Sequence, residues 1–358
     1  MRATMIHGTR DIRVEDRPDP EIRLPGDAIV RVVASCVCGS DLWPYRGVRE
    51  VARPKPIGHE FVGVVEALGD AVSTLSVGDF VVAPWAVSCG VCPPCRNGVQ
   101  VACEHRASWG GADEDGLPVD GGQGERVRVP LADGTLVPVP GVSGVTVPDE
   151  DLLKSLLTLS DVMGTGHHAA VAAGVGPGRS VVVVGDGAVG LCGVLAAKRL
   201  GAERIIAMSR HEDRAAIARR LGATDVVAER GPGAAEKVRG LLGGVLADSV
   251  LECVGTKESM DQALRCTRPG GSLGFVGVPA GGAELPIGVL FSKNISVGGG
   301  AASTRHYLPE LLEDVLSGAI SPGLVFDAVM PLEDAAKAYA AMDERRAIKV
   351  MLVPGGSR

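Results

Sequence analysis

Residues 180–201 read SVVVVGDGAVGLCGVLAAKRLG. A β-branched run ends at Gly185-Asp186-Gly187-Ala188-Val189-Gly190, and an apolar helical pattern starts there. A run without alternating polarity belongs to a strand buried on both faces, so it predicts a parallel sheet covered by helices. The glycines follow the GxGxxG order. Gly185 permits the sharp turn, Gly187 lets backbone approach a pyrophosphate, and Gly190 lets helix and strand pack closely. The helix opened by Ala188 and Val189 presents unpaired N–H groups and a positive dipole end to phosphates. With 50 glycines in the chain, the motif alone would be weak, and a plain strand-to-helix turn is the alternative. The units that follow strengthen it. RIIAMS, DVV, DSVLECVG and GSLGFVG read as further strands, with helical stretches at HEDRAAIARRLGA and around Ala234–Leu242 and Glu258–Cys266. This is the alternation of a doubly wound α/β domain.

The end of the second strand bears on the coenzyme. An NAD site usually carries Asp or Glu there, about 20 residues past the glycines, to hold the ribose 2′-hydroxyl. Here Ser209 and Arg210 stand in that place, with Arg214 one turn on. A hydroxyl and a planar guanidinium suit a 2′-phosphate, so NADP(H) is expected over NAD(H). The plain alternative for Arg210 is a solvated surface charge.

Upstream of residue 150 the pattern differs. DAIVRVVASCVC, FVGVVEAL and DFVVAPWA are short strands separated by Gly, Pro and Asp turns, which suggests an antiparallel, barrel-like domain. Helical character begins near Asp149. Past Asn294 come ISVGGG, a helix with Leu308, Leu311, Leu312 and Val315 on one face, the helix LEDAAKAYAAMDE and a last strand AIKVMLVP. This tail is expected to rejoin the first domain. The 358 residues thus divide into a barrel domain over 1–162 and 298–358, and a nucleotide domain over 163–297.

Net charge is −7 and 46% of residues are hydrophobic, so nothing points to nucleic acid, and both domains can bury a core. No apolar run approaches the roughly 18 residues a membrane span needs. MRATMIHGTRDIRVED lacks the apolar stretch of a signal peptide, which with nine cysteines suggests a reducing cytoplasm.

Cys89, Cys92, Cys95 and Cys103 follow C-x2-C-x2-C-x7-C. Four thiolates this close can wrap one tetrahedral Zn²⁺ in a closed, structural site, and Gly90, Pro93 and Pro94 supply turns. The alternative is a cysteine-rich loop without metal. A second ligand set is Cys38 in CVCGSDLW, His59 and Glu60 in PIGHEFVG, and Asp161 in LSDVMGTGHHAA. Cys, His and a carboxylate can hold Zn²⁺ with three protein ligands and leave a fourth position for substrate. Each also has an ordinary reading: Cys38 in the core, His59-Glu60 at a polar strand start, Asp161 as a helix cap.

Taken together, C-x2-C-x2-C-x7-C, GHE, CGSD and GDGAVG resemble the zinc-dependent alcohol dehydrogenases of the medium-chain dehydrogenase/reductase family, over essentially the whole chain. The resemblance implies a GroES-like catalytic domain holding two zinc ions, a Rossmann domain, and a cleft between them. It also implies that Cys38, His59 and Asp161 ligate the catalytic zinc, with Glu60 binding it in some states. Asp161 takes a place filled by Cys in many members. Asp41 resembles the carboxylate that orients the ligand histidine. Ser209 and Arg210 match the NADP branch. ISVGGG and GFVGVP resemble segments lining the nicotinamide side, and Lys349 matches a basic residue near the pyrophosphate. The implied reaction is reversible hydride transfer between an alcohol, polarised at zinc, and the nicotinamide. Ser40 is expected to take the hydroxyl proton. Many members place His three residues later, where this chain has Trp43, so the usual relay is interrupted and protons would leave through a ribose hydroxyl and water. His167 and His168 are expected to be structural. Trp43, Trp85 and Trp109 are expected to wall an apolar substrate pocket; ordinary packed aromatics are the alternative. A homodimer or homotetramer is implied, with a seam near Ile295.

Competing functions are an NAD-linked formaldehyde, polyol or threonine-type dehydrogenase on the same fold, and a nucleotide-binding sensor that has lost catalysis. A zinc-free quinone reductase would need neither ligand set.

Overall fold

The computed structural model describes residues 1–143, 148–279 and 284–355. It separates into two units: Met1–Asp161 with Ser303–Ala319 and Phe326–Arg358, and Val162–Ala302 with Ile320–Val325. The expected boundaries at 162/163 and 297/298 therefore shift. The strand Ser296–Gly299 lies in the parallel sheet beside Thr267–Phe275, which keeps the chain in the second unit as far as Ala302. The turn Pro322–Val325 packs on the helices Ala188–Arg199 and Glu212–Leu221, so a short segment of the tail belongs to the second unit too.

The second unit is built on one six-stranded sheet, and every neighbouring pair is parallel. Counted along the chain from Ser180–Val184, its strands lie in the order 3-2-1-4-5-6, the doubly wound Rossmann arrangement. The order reverses between Ser180–Val184 and Ala247–Glu252, and the glycine turn sits at the carboxyl end of the first of these. Val182, Ile206, Val227, Val250 and Leu273 are all fully buried in one cluster, as uninterrupted apolar strands require. Each such side chain contributes about 1.5–3 kcal/mol by leaving water.

The first unit carries a seven-stranded sheet whose path runs Ala328–Pro331, Val350–Val353, Ala28–Cys36, Phe61–Leu68, Asp79–Ala83, Val137–Ser143, with Arg126–Val129 also paired to Ala28–Cys36. All pairings are antiparallel except that between Ala328–Pro331 and Val350–Val353. A smaller sheet joins Asp11–Asp16, Arg2–Gly8 and Lys55–Pro56. Val30, Phe61, Val65, Val81 and Val127 form the core of the large sheet. The tail's return has a direct consequence for chemistry. Met351 pairs with Cys36 and Leu352 with Ser35, which brings Lys349 alongside the segment that leads to Cys38. Among the described residues, no helix is long and apolar enough to cross a membrane.

Candidate active site and metal centres

Cys38, His59, Glu60 and Asp161 converge in the first unit, each offering one ligand atom within 4.8 Å of the others. Cys38 follows the strand Ala28–Cys36, His59 and Glu60 precede Phe61–Leu68, and Asp161 follows the helix Glu150–Thr158. Adjacent antiparallel strands thus deliver the thiol and the His-Glu pair to one end of the sheet. Cys38 Sγ lies 3.7 Å from Asp161 Oδ2, and His59 Nε2 lies 3.5 Å from the same oxygen. A tetrahedral zinc with Zn–S near 2.3 Å and Zn–N or Zn–O near 2.0–2.1 Å spaces its ligands by roughly 3.4–3.7 Å, so these donors fit the ion. A buried oxygen supports the same fit. Glu60 is fully buried, and its Oε2 has no hydrogen-bond partner.

The electrostatics also favour a cation. Burial first, and then the charge of Glu60, push the Cys38 thiol up to about 11. Burial raises the Glu60 carboxyl too, and the Lys349 ammonium pulls the other way. For His59, burial opposes the charged ring, but Asp41 and Cys38 outweigh it and hold its pKa well above the usual value. Buried acids and a thiol drawn together in this way are stabilised by a divalent ion that takes their electron pairs. Asp41 is 5% exposed, with Oδ1 3.4 Å from His59 Nδ1. Its Oδ2 accepts from the Cys38 backbone N–H at 3.0 Å, closing a capping box over Gly39–Asp41. Ser40 Oγ lies 3.3 Å from Cys38 Sγ, at the rim of the cluster.

Cys89, Cys92, Cys95 and Cys103 form the second cluster. Cys92 and Cys103 sulfurs are 3.8 Å apart, and those of Cys89 and Cys95 4.0 Å, close to the edge of a Zn–S₄ tetrahedron. Backbone N–H groups of Val91 and Cys92 point at the Cys89 sulfur, and those of Cys89 and His105 at the Cys103 sulfur. Such donors favour thiolates. The Cys92 thiol is drawn down to about 6, chiefly by the Glu104 backbone.

Lys349 takes a different place from the one expected. Its ammonium lies 2.8 Å from Glu60 Oε1, with the two side chains 1% and 0% exposed, and also donates to Val37 O at 3.3 Å. It is an internal counter-ion of Glu60, enclosed by protein, and the expected contact with a pyrophosphate is corrected accordingly. Trp43 lies half-buried on the short helix Leu42–Tyr45, directly after Asp41. Trp85 is half-buried, and its backbone N–H donates to Ser160 O, the neighbour of Asp161. Trp109 stands edge-on to Phe61 at 5.2 Å, half-buried and packed against the barrel core, the arrangement of an ordinary packed aromatic.

In the second unit, Gly185 has φ of +120°. A Cβ on Gly190 would lie 2.0 Å from Gly185 O, so no side chain is possible there, while nothing stands within 4 Å of a Cβ on Gly187. The helix Ala188–Arg199 has Gly187 as its N-cap, without a side-chain cap and without an acid in its first turn. The geometry fits a pyrophosphate on the N–H groups of Ala188, Val189 and Gly190. Ser209 is 2% exposed and donates to Asp186 Oδ2 at 2.7 Å. Arg214 is turned onto Asp186 as well, at 3.3 Å from its carbonyl and 3.6 Å from its carboxylate, so its expected share in phosphate binding is corrected to a structural one. Arg210 is exposed. Arg230, which the sequence reading missed, lies close enough to feel it: burial first, then the Arg210 charge, hold its pKa below the usual value. The Arg230 guanidinium donates to Glu229 O at 2.9 Å and to Ala228 O at 3.3 Å.

The sequence reading also missed Gln123 and Tyr339. The glycines of DGGQGE were a signal, since a Cβ on Gly121 would meet Ile57 O at 2.2 Å and one on Gly58 the Gln123 backbone at 2.9 Å. Such close approach marks a segment pressed against the GHE motif.

Residues 24–141 match the alcohol dehydrogenase GroES-like domain, and residues 188–317 match the zinc-binding dehydrogenase domain. The chain is 35% identical to a protein of Mycobacterium tuberculosis named as a probable zinc-binding alcohol dehydrogenase, over 96% of this chain and 86% of that one. The chain belongs to the zinc-binding alcohol dehydrogenase family. Its fold resembles that of alcohol dehydrogenase TADH from Thermus sp. ATN1, with a TM-score of 0.88 and 32% identity over 99% of this chain and 100% of that one. It also resembles a zinc-binding dehydrogenase from Sinorhizobium meliloti 1021 bound to NADP, with a TM-score of 0.81 and 25% identity over 99% of each chain. This member of the family is an oxidoreductase of the zinc-type alcohol dehydrogenase kind.

Proposed function

We propose that this dehydrogenase binds two zinc ions per chain and exchanges a hydride between an alcohol, or the corresponding aldehyde or ketone, and NADP(H). The observation that carries the reading is the Cys38, His59, Glu60 and Asp161 cluster, with its tetrahedral spacings and its unsatisfied Glu60 oxygen. When bound, zinc supplies a Lewis acid for the substrate oxygen, and the nicotinamide supplies the hydride acceptor or donor. Cys38, His59 and Asp161 hold the ion, with Glu60 held back by Lys349 as a fourth donor. Asp41 orients the His59 ring through Nδ1. Ser40 Oγ accepts the hydroxyl proton. Trp43 has no imidazole to continue the path, so the side-chain relay stops at Ser40, and a bound coenzyme would supply a ribose hydroxyl next to solvent for the onward transfer. Trp43 and Trp85 give the pocket apolar walls.

The coenzyme choice rests on the exposed Arg210 and on Ser209 standing where an NAD site usually carries Asp or Glu, although the Ser209 hydroxyl itself is bonded to Asp186. The partner is a second copy of this chain. Among the described residues Ser296–Gly299 pairs with Thr267–Phe275 alone and is an edge strand, and beside it Phe291 is 85% exposed and Ile287 67%. An open strand edge with a flanking apolar surface is satisfied by self-pairing.

The test combines metal analysis with a panel of primary, secondary and polyol alcohols with NADP⁺ and NAD⁺, and of aldehydes and ketones with the reduced coenzymes. Two zincs and a higher kcat/KM with NADP(H) are expected. A clear NAD preference would overturn the coenzyme reading, and tight NADPH binding without turnover would favour the sensor.

A further inference from the structure

Beyond Asp41, the polar contacts of the metal cluster continue into the core. Gln123 is fully buried. Its Nε2 donates to Cys36 O at 3.0 Å and to Asp41 Oδ2 at 3.3 Å. Its Oε1 accepts from the hydroxyl of Tyr339, also fully buried, at 3.1 Å. Tyr339 sits on the helix Ala335–Asp343, inside an apolar cluster with Tyr45 and Leu332.

These partners fix the Gln123 amide in one orientation. Reversed, its oxygen would face a carbonyl and a carboxylate, neither of which can donate. Those two acceptors therefore fix which way the amide points, and the Tyr339 hydroxyl anchors its oxygen in that orientation. Asp41 Oδ2 then receives two donors, Cys38 N–H and Gln123 Nε2, which leaves Oδ1 for His59 Nδ1. A buried carboxylate with both oxygens committed cannot rotate without losing bonds that water is not there to replace.

We propose that Gln123 and Tyr339 are positioning residues for the catalytic metal: they lock the Asp41 carboxylate, which in turn holds the His59 ring with Nε2 aimed at the ion. The proposal rests on reading Cys38, His59, Glu60 and Asp161 as a metal site. It adds that one strap of the barrel and the C-terminal helix both set that site's affinity without touching the ion.

Tyr339→Phe removes the hydroxyl alone and leaves the buried Gln123 oxygen without its donor, so the amide loses one of its anchors. Gln123→Glu keeps the shape and can still accept from Tyr339, but it sets a second carboxylate against Asp41. The experiment loads the catalytic site of the full-length protein with Co²⁺, zinc being retained in the four-cysteine site. It then measures the affinity by chelator competition and records the visible spectrum of the bound ion. Removing a partner behind a metal ligand weakens binding by about 10–100-fold. Both variants are expected to lose at least about tenfold in Co²⁺ affinity and to shift the visible band, with the four-cysteine zinc content unchanged. That unchanged zinc separates a lost position from a lost fold, which a purely structural role would not do. A wild-type affinity and spectrum in either variant overturns the proposal. If Cys38→Ser holds as much metal as wild type, the metal-site reading itself fails, and that outcome is distinct.

Discussion

Replacing Lys349 with Met keeps the length of the side chain and removes its charge, leaving Glu60 fully buried opposite an apolar atom. Breaking a buried ion pair on one side costs about 3–5 kcal/mol. A second route gives an independent ceiling. Glu60 can escape by taking a proton, and its ordinary value is 4.5. At about 1.36 kcal/mol per unit, neutralising it at pH 7 costs ~3.4 kcal/mol. The two estimates agree, so a loss of about 3 kcal/mol is expected at pH 7. The sign of the pH dependence follows. Without Lys349 the folded-state pKa of Glu60 stands far above the unfolded value, so the penalty is complete above the folded pKa, shrinks as pH falls, and vanishes below 4.5. The three tryptophans, Trp43, Trp85 and Trp109, all lie in the first unit. Urea unfolding followed by tryptophan fluorescence therefore reports that unit alone. The double variant Lys349→Met with Glu60→Gln should recover much of the loss, because two neutral groups replace the pair. A Lys349→Met protein as stable as wild type at pH 7, with weakened NADP binding instead, would refute the internal counter-ion and restore the pyrophosphate role.

Ser40→Ala should lower kcat by roughly 10²-fold while metal content stays at the wild-type level, measured by steady-state kinetics beside metal analysis. Arg210→Ala should reduce the ratio of kcat/KM for NADP over NAD by about 10–100-fold, since a charge-assisted hydrogen bond to phosphate contributes about 1.5–3 kcal/mol. Cys103→Ser should remove one zinc and destabilise the first unit, leaving nucleotide binding by the second unit measurable by calorimetry. Asp133 accepts from the backbone and hydroxyl groups of Ser73 and Thr74, and although burial acts to raise its pKa, those bonds hold it below the ordinary 3.8. Its contribution is present above about pH 3.8 and is lost as pH falls through the lower folded value, so the stability gap between wild type and Asp133→Ala should close in acid.

The nucleotide unit was legible because its signals are local. An apolar strand, a glycine turn and a helix start follow one another within residues 180–201, and each glycine role can be read from its own position. The four-cysteine cluster was legible for the same reason. Cys38, His59 and Asp161 stood in the sequence as possible ligands by residue type alone, beside ordinary readings for each, and their joint resemblance to a family is what drew them together across the 123 residues from Cys38 to Asp161. Lys349, Gln123 and Tyr339 were misread or missed because their roles are set by pairing across the fold. No local pattern says that Met351 will lie opposite Cys36, and so nothing near residue 349 says that its ammonium will meet Glu60. Arg214 was misplaced for a related reason: Asp186, inside the glycine turn, takes up its guanidinium and the Ser209 hydroxyl together. Residue types at an expected spacing show what could bind a phosphate, not what a neighbouring carboxylate has already claimed.

The empty space over Gly187 and the crowded space over Gly190 divide the labour of the turn in a way that can be exploited. A methyl group at 190 has nowhere to go and must break the strand-to-helix junction. The same group at 187 meets no protein atom within 4 Å. On the function proposed above, Gly187→Ala is expected to fold as the wild type does and to lose coenzyme binding alone, a reagent for asking what the Cys38, His59, Glu60 and Asp161 cluster binds when no hydride can move.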